Sequence, residues 1–168
     1  LEPLTKFRVA YHDRDLIDLE LEFTGLRPPH EAGIGKGVGH YDQPCRVVGQ
    51  AVVRGRNIAI DTLGMRDRTW SIRPETRHGH GTAYTYGYTG ADEQFLAMTT
   101  LDGNRGTFIS GVFSGFLLRD GIQSPLTDAN RRVVERKDGY PVRVEIDAVD
   151  SLGRRLEATG RTVNRLAN

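Results

Sequence analysis

The sequence predicts an all-β, antiparallel fold. Apolar and polar residues alternate with period two in run after run. Glycine-containing dipeptides of the hairpin type separate the runs. No amphipathic stretch of helical period extends over ten residues. A succession of short strands joined in this way closes into a barrel or packs as two sheets.

The elements follow in order. Phe7, Val9 and Tyr11 alternate with Lys6, Arg8 and Ala10. Ile17, Leu19, Leu21 and Phe23 alternate with Asp18, Glu20, Glu22 and Thr24. Each run has one apolar and one charged face, as a half-solvated antiparallel strand requires. Leu26–Asp42, LRPPHEAGIGKGVGHYD, is rich in proline and glycine and reads as a long loop, a functional lid or a connector. Its GIGKGVG core lacks the spacing of a phosphate loop and has no parallel strand before it or helix after it. Arg46–Val53 and Asn57–Asp61 read as strands around Arg54-Gly55. Thr82–Tyr88, Phe95–Thr100, Thr107–Leu118 and Arg131–Glu135 follow, then Val142, Val144 and Ile146 alternating with charges, then Arg155–Thr162. Asp102-Gly103, Asp120-Gly121, Asp138-Gly139 and Leu152-Gly153 supply turns.

A chain of 168 residues fits a single domain, 1–168, with a real core. The composition, 38% hydrophobic and 27% charged, is that of an ordinary globular protein. A net charge of +1 gives no reason to expect nucleic acid or an anionic membrane as partner. The many arginines are interleaved with acids, which reads as compositional bias rather than phosphate recognition. Cys45 is the lone cysteine, so no intrachain disulfide forms and it reads as a small buried hydrophobe. No apolar run approaches the length of a membrane span and no signal peptide is recognisable, so the expected location is the cytoplasm.

The most informative segment is Gly64–Pro74, GMRDRTWSIRP. It gathers Arg66, Asp67, Arg68 and Arg73 around the single Trp, Trp70. An arginine always carries charge and needs a carboxylate, an aromatic face or an anionic ligand. The cluster reads either as a buried Arg–Asp–Trp network pinning a strand or as the wall of a ligand cavity. On a strand Arg66 and Arg68 share one face and Asp67 the other. With Asp67 inside, it is a candidate general acid. With the arginines inside, the site is a cationic pocket suited to a carboxylate or enolate.

Three further groups carry chemistry. Tyr84, Tyr86 and Tyr88 share a strand face and form either a cavity wall or an exterior ladder. His40 and Tyr41 close the long loop, where they serve as an acid–base pair, orient a ligand or cap the next strand. His78 and His80 would need another ligand such as His40 to hold zinc, and they read instead as polar turn residues. No metal and no organic cofactor is expected.

His40-Tyr41-x-Gln43 joins through the Val53–Ile58 hairpin to Gly64-x-Arg66-Asp67-x-x-Trp70. This stretch, with FLLRDG at Phe116–Gly121 and VEIDAVDSLGRRLEATG at Val144–Gly160, resembles the C-terminal half of the hydroxyneurosporene synthase-like, or carotenoid 1,2-hydratase-like, bacterial family. The resemblance implies a lipocalin/calycin-like β-barrel of about eight to ten strands with little helix. It also implies one half of a two-barrel protein and an apolar ligand cavity. Three functions follow from these readings. One is a cofactor-independent hydratase, isomerase or cyclase acting on an isoprenoid- or polyketide-like molecule, with Asp67, His40 and Tyr41 as working groups. In it Arg66, Arg68, Trp70, Arg73, Tyr84, Tyr86 and Tyr88 line the ligand. Another is a non-catalytic binding barrel, and the third a domain that packs against a second barrel or its own copy.

Overall fold

The computed structural model describes residues 2–14, 16–35, 37–70, 82–100, 108–110 and 112–164. Twelve strands account for most of them: β1 (Lys6–Asp13), β2 (Ile17–Gly25), β3 (His30–Gly35), β4 (Val38–Val53), β5 (Arg56–Trp70), β6 (Thr82–Gly90), β7 (Glu93–Thr100), β8 (Phe108–Ser110), β9 (Val112–Arg119), β10 (Ile122–Lys137), β11 (Tyr140–Asp150) and β12 (Arg155–Arg161). Among the described residues no helix is long and apolar enough to cross a membrane. The fold class is the expected one: all-β, antiparallel, and consistent with a lipocalin-like β-barrel.

The chain divides into two compact units, Leu1–Ile72 with Tyr88–Ala91 and Arg73–Gly87 with Asp92–Asn168. The first sheet is a meander in which β2 and β3 lie end to end along one edge of β4 while β5 covers the other. The second sheet runs β12-β11-β10-β9-β7-β6, with β8 and β9 sharing an edge of β10. Taking each interrupted pair as one strand leaves ten, within the expected range.

The expected loop Leu26–Asp42 is a hairpin. Among the described residues Leu26–Pro29 is irregular; β3 then pairs with the start of β4, His30 opposite Asp42 and Gly35 opposite Val38. Gly37, at φ +74°, turns the chain between them. Glycine-rich strands carry no side-chain alternation, so period two was invisible there. Gly39 also serves packing: a Cβ at this position would come within 2.3 Å of the Trp70 indole, which crosses over the bare backbone.

The first sheet is amphipathic. Lys6–Glu22, Arg8–Glu20, His12–Asp18 and Arg46–Asp61 pair on its polar face. Val9, Leu21 and Ile60 meet in register on the other face, as do Tyr11, Leu19, Ala51 and Ile58. In the second unit Ala97, Leu117, Leu126, Ala129, Ala148 and Leu156 form a buried cluster.

Candidate functional site

The site grows from the first half of β4 and the second half of β5. Their register sets Gly39 against Trp70, His40 against Thr69, Tyr41 against Arg68, Asp42 against Asp67 and Gln43 against Arg66. Side chains alternate along each strand, so this ladder sorts the residues onto two faces. Tyr41, Gln43, Arg66, Arg68 and Trp70 share one face. His40, Asp42, Asp67 and Thr69 share the other.

The first face walls an open cavity of about 540 Å³ lined by Pro3, Leu4, Phe7, Tyr41, Arg66, Arg68 and Trp70. Gln43 positions its far wall: the buried Nε2 donates to Leu4 O at 2.7 Å and Arg27 O at 3.0 Å. The Arg66 guanidinium carbon lies 3.4 Å from the Phe7 ring centroid and 5.0 Å from that of Tyr41. Tyr41 meets Trp70 edge-on, with centroids 6.1 Å apart and planes at 65°. Among the described residues neither Arg66 nor Arg68 forms an ion pair. Arg66 Nη1 and Gln43 Oε1 are buried without a hydrogen-bond partner. Beneath them the Cys45 thiol is pushed up to about 11 by burial, against the nearby Arg66 charge, and stays protonated.

The second face carries a histidine–carboxylate cluster. Asp42 is fully buried and its Oδ2 lies 2.7 Å from His40 Nε2. His40 Nδ1 is 2.7 Å from Thr69 Oγ1 and 3.5 Å from Asp67 Oδ1. His40, Asp42 and Asp67 bring ligand atoms within 4.8 Å of one another, a spacing that accommodates a divalent cation. His30 faces Asp42 from β3. Burial pushes the His30 imidazole below its ordinary value, Asp42 opposes this and His40 adds to it.

The matching family model spans residues 1–167. The chain belongs to the DUF7064 family. That family is described as a domain of unknown function (DUF7064). No curated protein and no solved structure matches the chain.

In this DUF7064 chain the expected site residues fall in separate places. Tyr41, Arg66, Arg68 and Trp70 come together at the cavity. Asp67 and His40 come together on the opposite face, where the Asp67 side chain is 53% exposed. Tyr84 and Tyr88 are exposed, Tyr86 Oη donates to Gln94 Oε1 at 2.7 Å, Tyr88 Oη lies 3.3 Å from Thr62 Oγ1 of β5, and none of the three lines the cavity. Arg73, His78, His80 and Asp102-Gly103 lie outside the described residues. The sequence reading missed Phe7, Leu4, Asp42 and Thr69. Asp42 and Thr69 had a signal: period two puts Asp42 on the face of His40 and Thr69 on the face of Asp67.

Proposed function

We propose that this domain binds a hydrophobic small molecule, isoprenoid- or polyketide-like, against the apolar face of its first sheet. The cavity carries the reading. Tyr41, Trp70, Phe7 and Leu4 offer aromatic and aliphatic wall, as ligand sites do. The same face continues into Val9, Tyr11 and Ile58, each more than a third exposed. Large apolar side chains left in water on one continuous face mark a surface that something covers. The resemblance at His40–Gln43 and Gly64–Trp70 to hydroxyneurosporene synthase-like proteins points to the same class of ligand.

Cofactor-free hydration, isomerisation or cyclisation is the second reading. The His40–Asp42–Asp67 cluster favours it, because a histidine held by a buried carboxylate suits proton transfer. The two faces of one sheet are separated by backbone. His40 and Asp67 therefore do not touch a ligand seated in the Trp70 cavity, and binding without chemistry accounts for that cavity fully.

Native mass spectrometry of protein purified from its own host, followed by solvent extraction, tests the proposal. The expected result is one apolar molecule per chain whose return shifts the emission of Trp70. A chain that is empty as purified and whose Trp70 emission ignores added terpenoids, fatty acids and aromatic polyketides overturns it. Loss of turnover of the extracted molecule in Asp67→Asn, with folding intact, moves the function to the second reading.

A further inference from the structure

We infer that the ligand is an anionic amphiphile whose carboxylate is held by Arg66 with help from Arg68. This inference rests on the hydrophobic-ligand reading and names the head group that the cavity selects.

Two cations face one apolar cavity and no described carboxylate neutralises either. A guanidinium beside apolar wall is costly unless its charge and its donors are both met. The ring faces of Phe7 and Tyr41 meet part of the charge. A ring face offers no oxygen acceptor to the guanidinium N–H groups. Nη1 is buried and unbonded. A planar carboxylate in the guanidinium plane satisfies two N–H donors at once. Contact with the Phe7 ring restrains the guanidinium before any ligand arrives, so less freedom is lost on binding. Arg68, one step along the face opposite Tyr41, adds a second positive charge at the exposed rim.

The polar faces elsewhere in this sheet set the contrast. Arg8 and Arg46 sit on the opposite face and each is paired, to Glu20 and to Asp61. Arg66 and Arg68 meet the cavity without such a carboxylate, whereas Arg56, the other unpaired arginine of β5, is exposed to water at its far end.

Trp70 is the lone tryptophan and lines this cavity, so its emission reports occupancy. Retinoic acid and retinol are a matched pair of probes: the same apolar body, one anionic head and one neutral. At about pH 8 the acid is ionised. The expected result is that retinoic acid quenches Trp70 with at least about tenfold tighter binding than retinol. Arg66→Met keeps an apolar stem beside Phe7 and removes the charge. It is expected to abolish the preference, so that the acid binds no more tightly than retinol. Arg68→Gln, at the exposed rim, is expected to weaken the acid alone and by less, and this holds as a test if Arg66→Met fails to fold. Equal affinities for the two probes overturn the inference while the hydrophobic-ligand reading stands. A preference that survives both Arg66→Met and Arg68→Gln also overturns it. Failure of both probes to quench Trp70 removes the hydrophobic-ligand reading and this inference with it.

Discussion

Arg154→Ala is expected to destabilise the second unit by about 3–5 kcal/mol. Arg154 Nε donates to Asp150 Oδ2 at 2.7 Å. Nη1 reaches Arg119 O at 3.0 Å, and Nη2 reaches Leu117 O at 3.2 Å and Ile122 O at 3.1 Å. One guanidinium thus ties the link between β11 and β12 to the β9–β10 hairpin. The Asp150 side chain is wholly buried and its Oδ1 also accepts the backbone N–H groups of Leu152 and Arg154. Alanine removes the charge that neutralises this carboxylate and leaves three carbonyls short of a donor. Removing one partner of a buried pair costs far more than the pair contributes net, because the other charge stays in place. Arg154→Lys keeps the charge but not the fork, so an intermediate loss is expected. Thermal denaturation followed by circular dichroism checks this. A fall in Tm of more than about 10 °C is expected for alanine, and a Tm unchanged from the parent overturns the account.

The same carboxylate sets an acid limit. Burial disfavours the Asp150 charge, but the hydrogen bonds from Arg154 and Leu152 and the guanidinium charge outweigh it and hold the carboxyl below its usual range. The folded chain therefore binds this proton less readily than the unfolded chain. The stabilisation is fully present above the ordinary aspartate value of about 4 and is lost as pH falls through the lower folded value. Urea unfolding measured across that range is expected to show stability falling as the solution is acidified. Asp150→Asn is expected to lose part of that slope, and an identical slope in the variant overturns the assignment.

Period two was legible wherever one face of a strand meets charge, as in β1, β2 and β11. The turns were legible as well. Arg54-Gly55, Asp120-Gly121 and Asp138-Gly139 all adopt two successive positive φ angles, the turn that suits a twisted two-residue hairpin. One strand resisted. The hairpin through β3 has glycines where alternating side chains would be. β9 falls within the expected strand Thr107–Leu118 even though Phe116, Leu117 and Leu118 are all fully buried, so both faces are apolar and the run is read from its continuous hydrophobicity. At the site, alternation correctly put Arg66 and Arg68 opposite Asp67. Which side holds the cavity depends on Pro3, Leu4 and Phe7, more than fifty residues earlier in the chain, and no local pattern encodes that contact. His40 and Tyr41 look like a functional pair in the sequence, yet neighbours on a strand point to opposite faces, and the structure separates them.

Gly49→Ala is expected to cost on the order of 4 kcal/mol or more, enough to unfold the first unit or leave it barely stable. Gly49 lies in β4 between Leu21 of β2 and Ile60 of β5. Its φ is +151°, a conformation that residues with a Cβ rarely adopt. A Cβ there would stand 2.0 Å from the Glu20 carbonyl oxygen and 3.0 Å from Leu21 Cα. Both obstacles are backbone atoms of the neighbouring strand, so no side chain can swing away. Relief requires β2 to part from β4. That ladder runs Ile17–Gly25 against Val53–Cys45 and adjoins the stretch of β4 carrying Tyr41 and Gln43. Gly37→Ala is the control: nothing lies within 4 Å of a Cβ there, so it meets only the cost of positive φ, about 1 kcal/mol. Trp70 is the lone tryptophan and belongs to the first unit, so its emission during urea unfolding follows that unit alone. A large fall in its midpoint for Gly49→Ala and a small one for Gly37→Ala are expected. A Trp70 transition at the parent's midpoint in Gly49→Ala would mean that the β2–β4 ladder yields at little cost, and the rigid sheet on which the cavity depends would have to be abandoned.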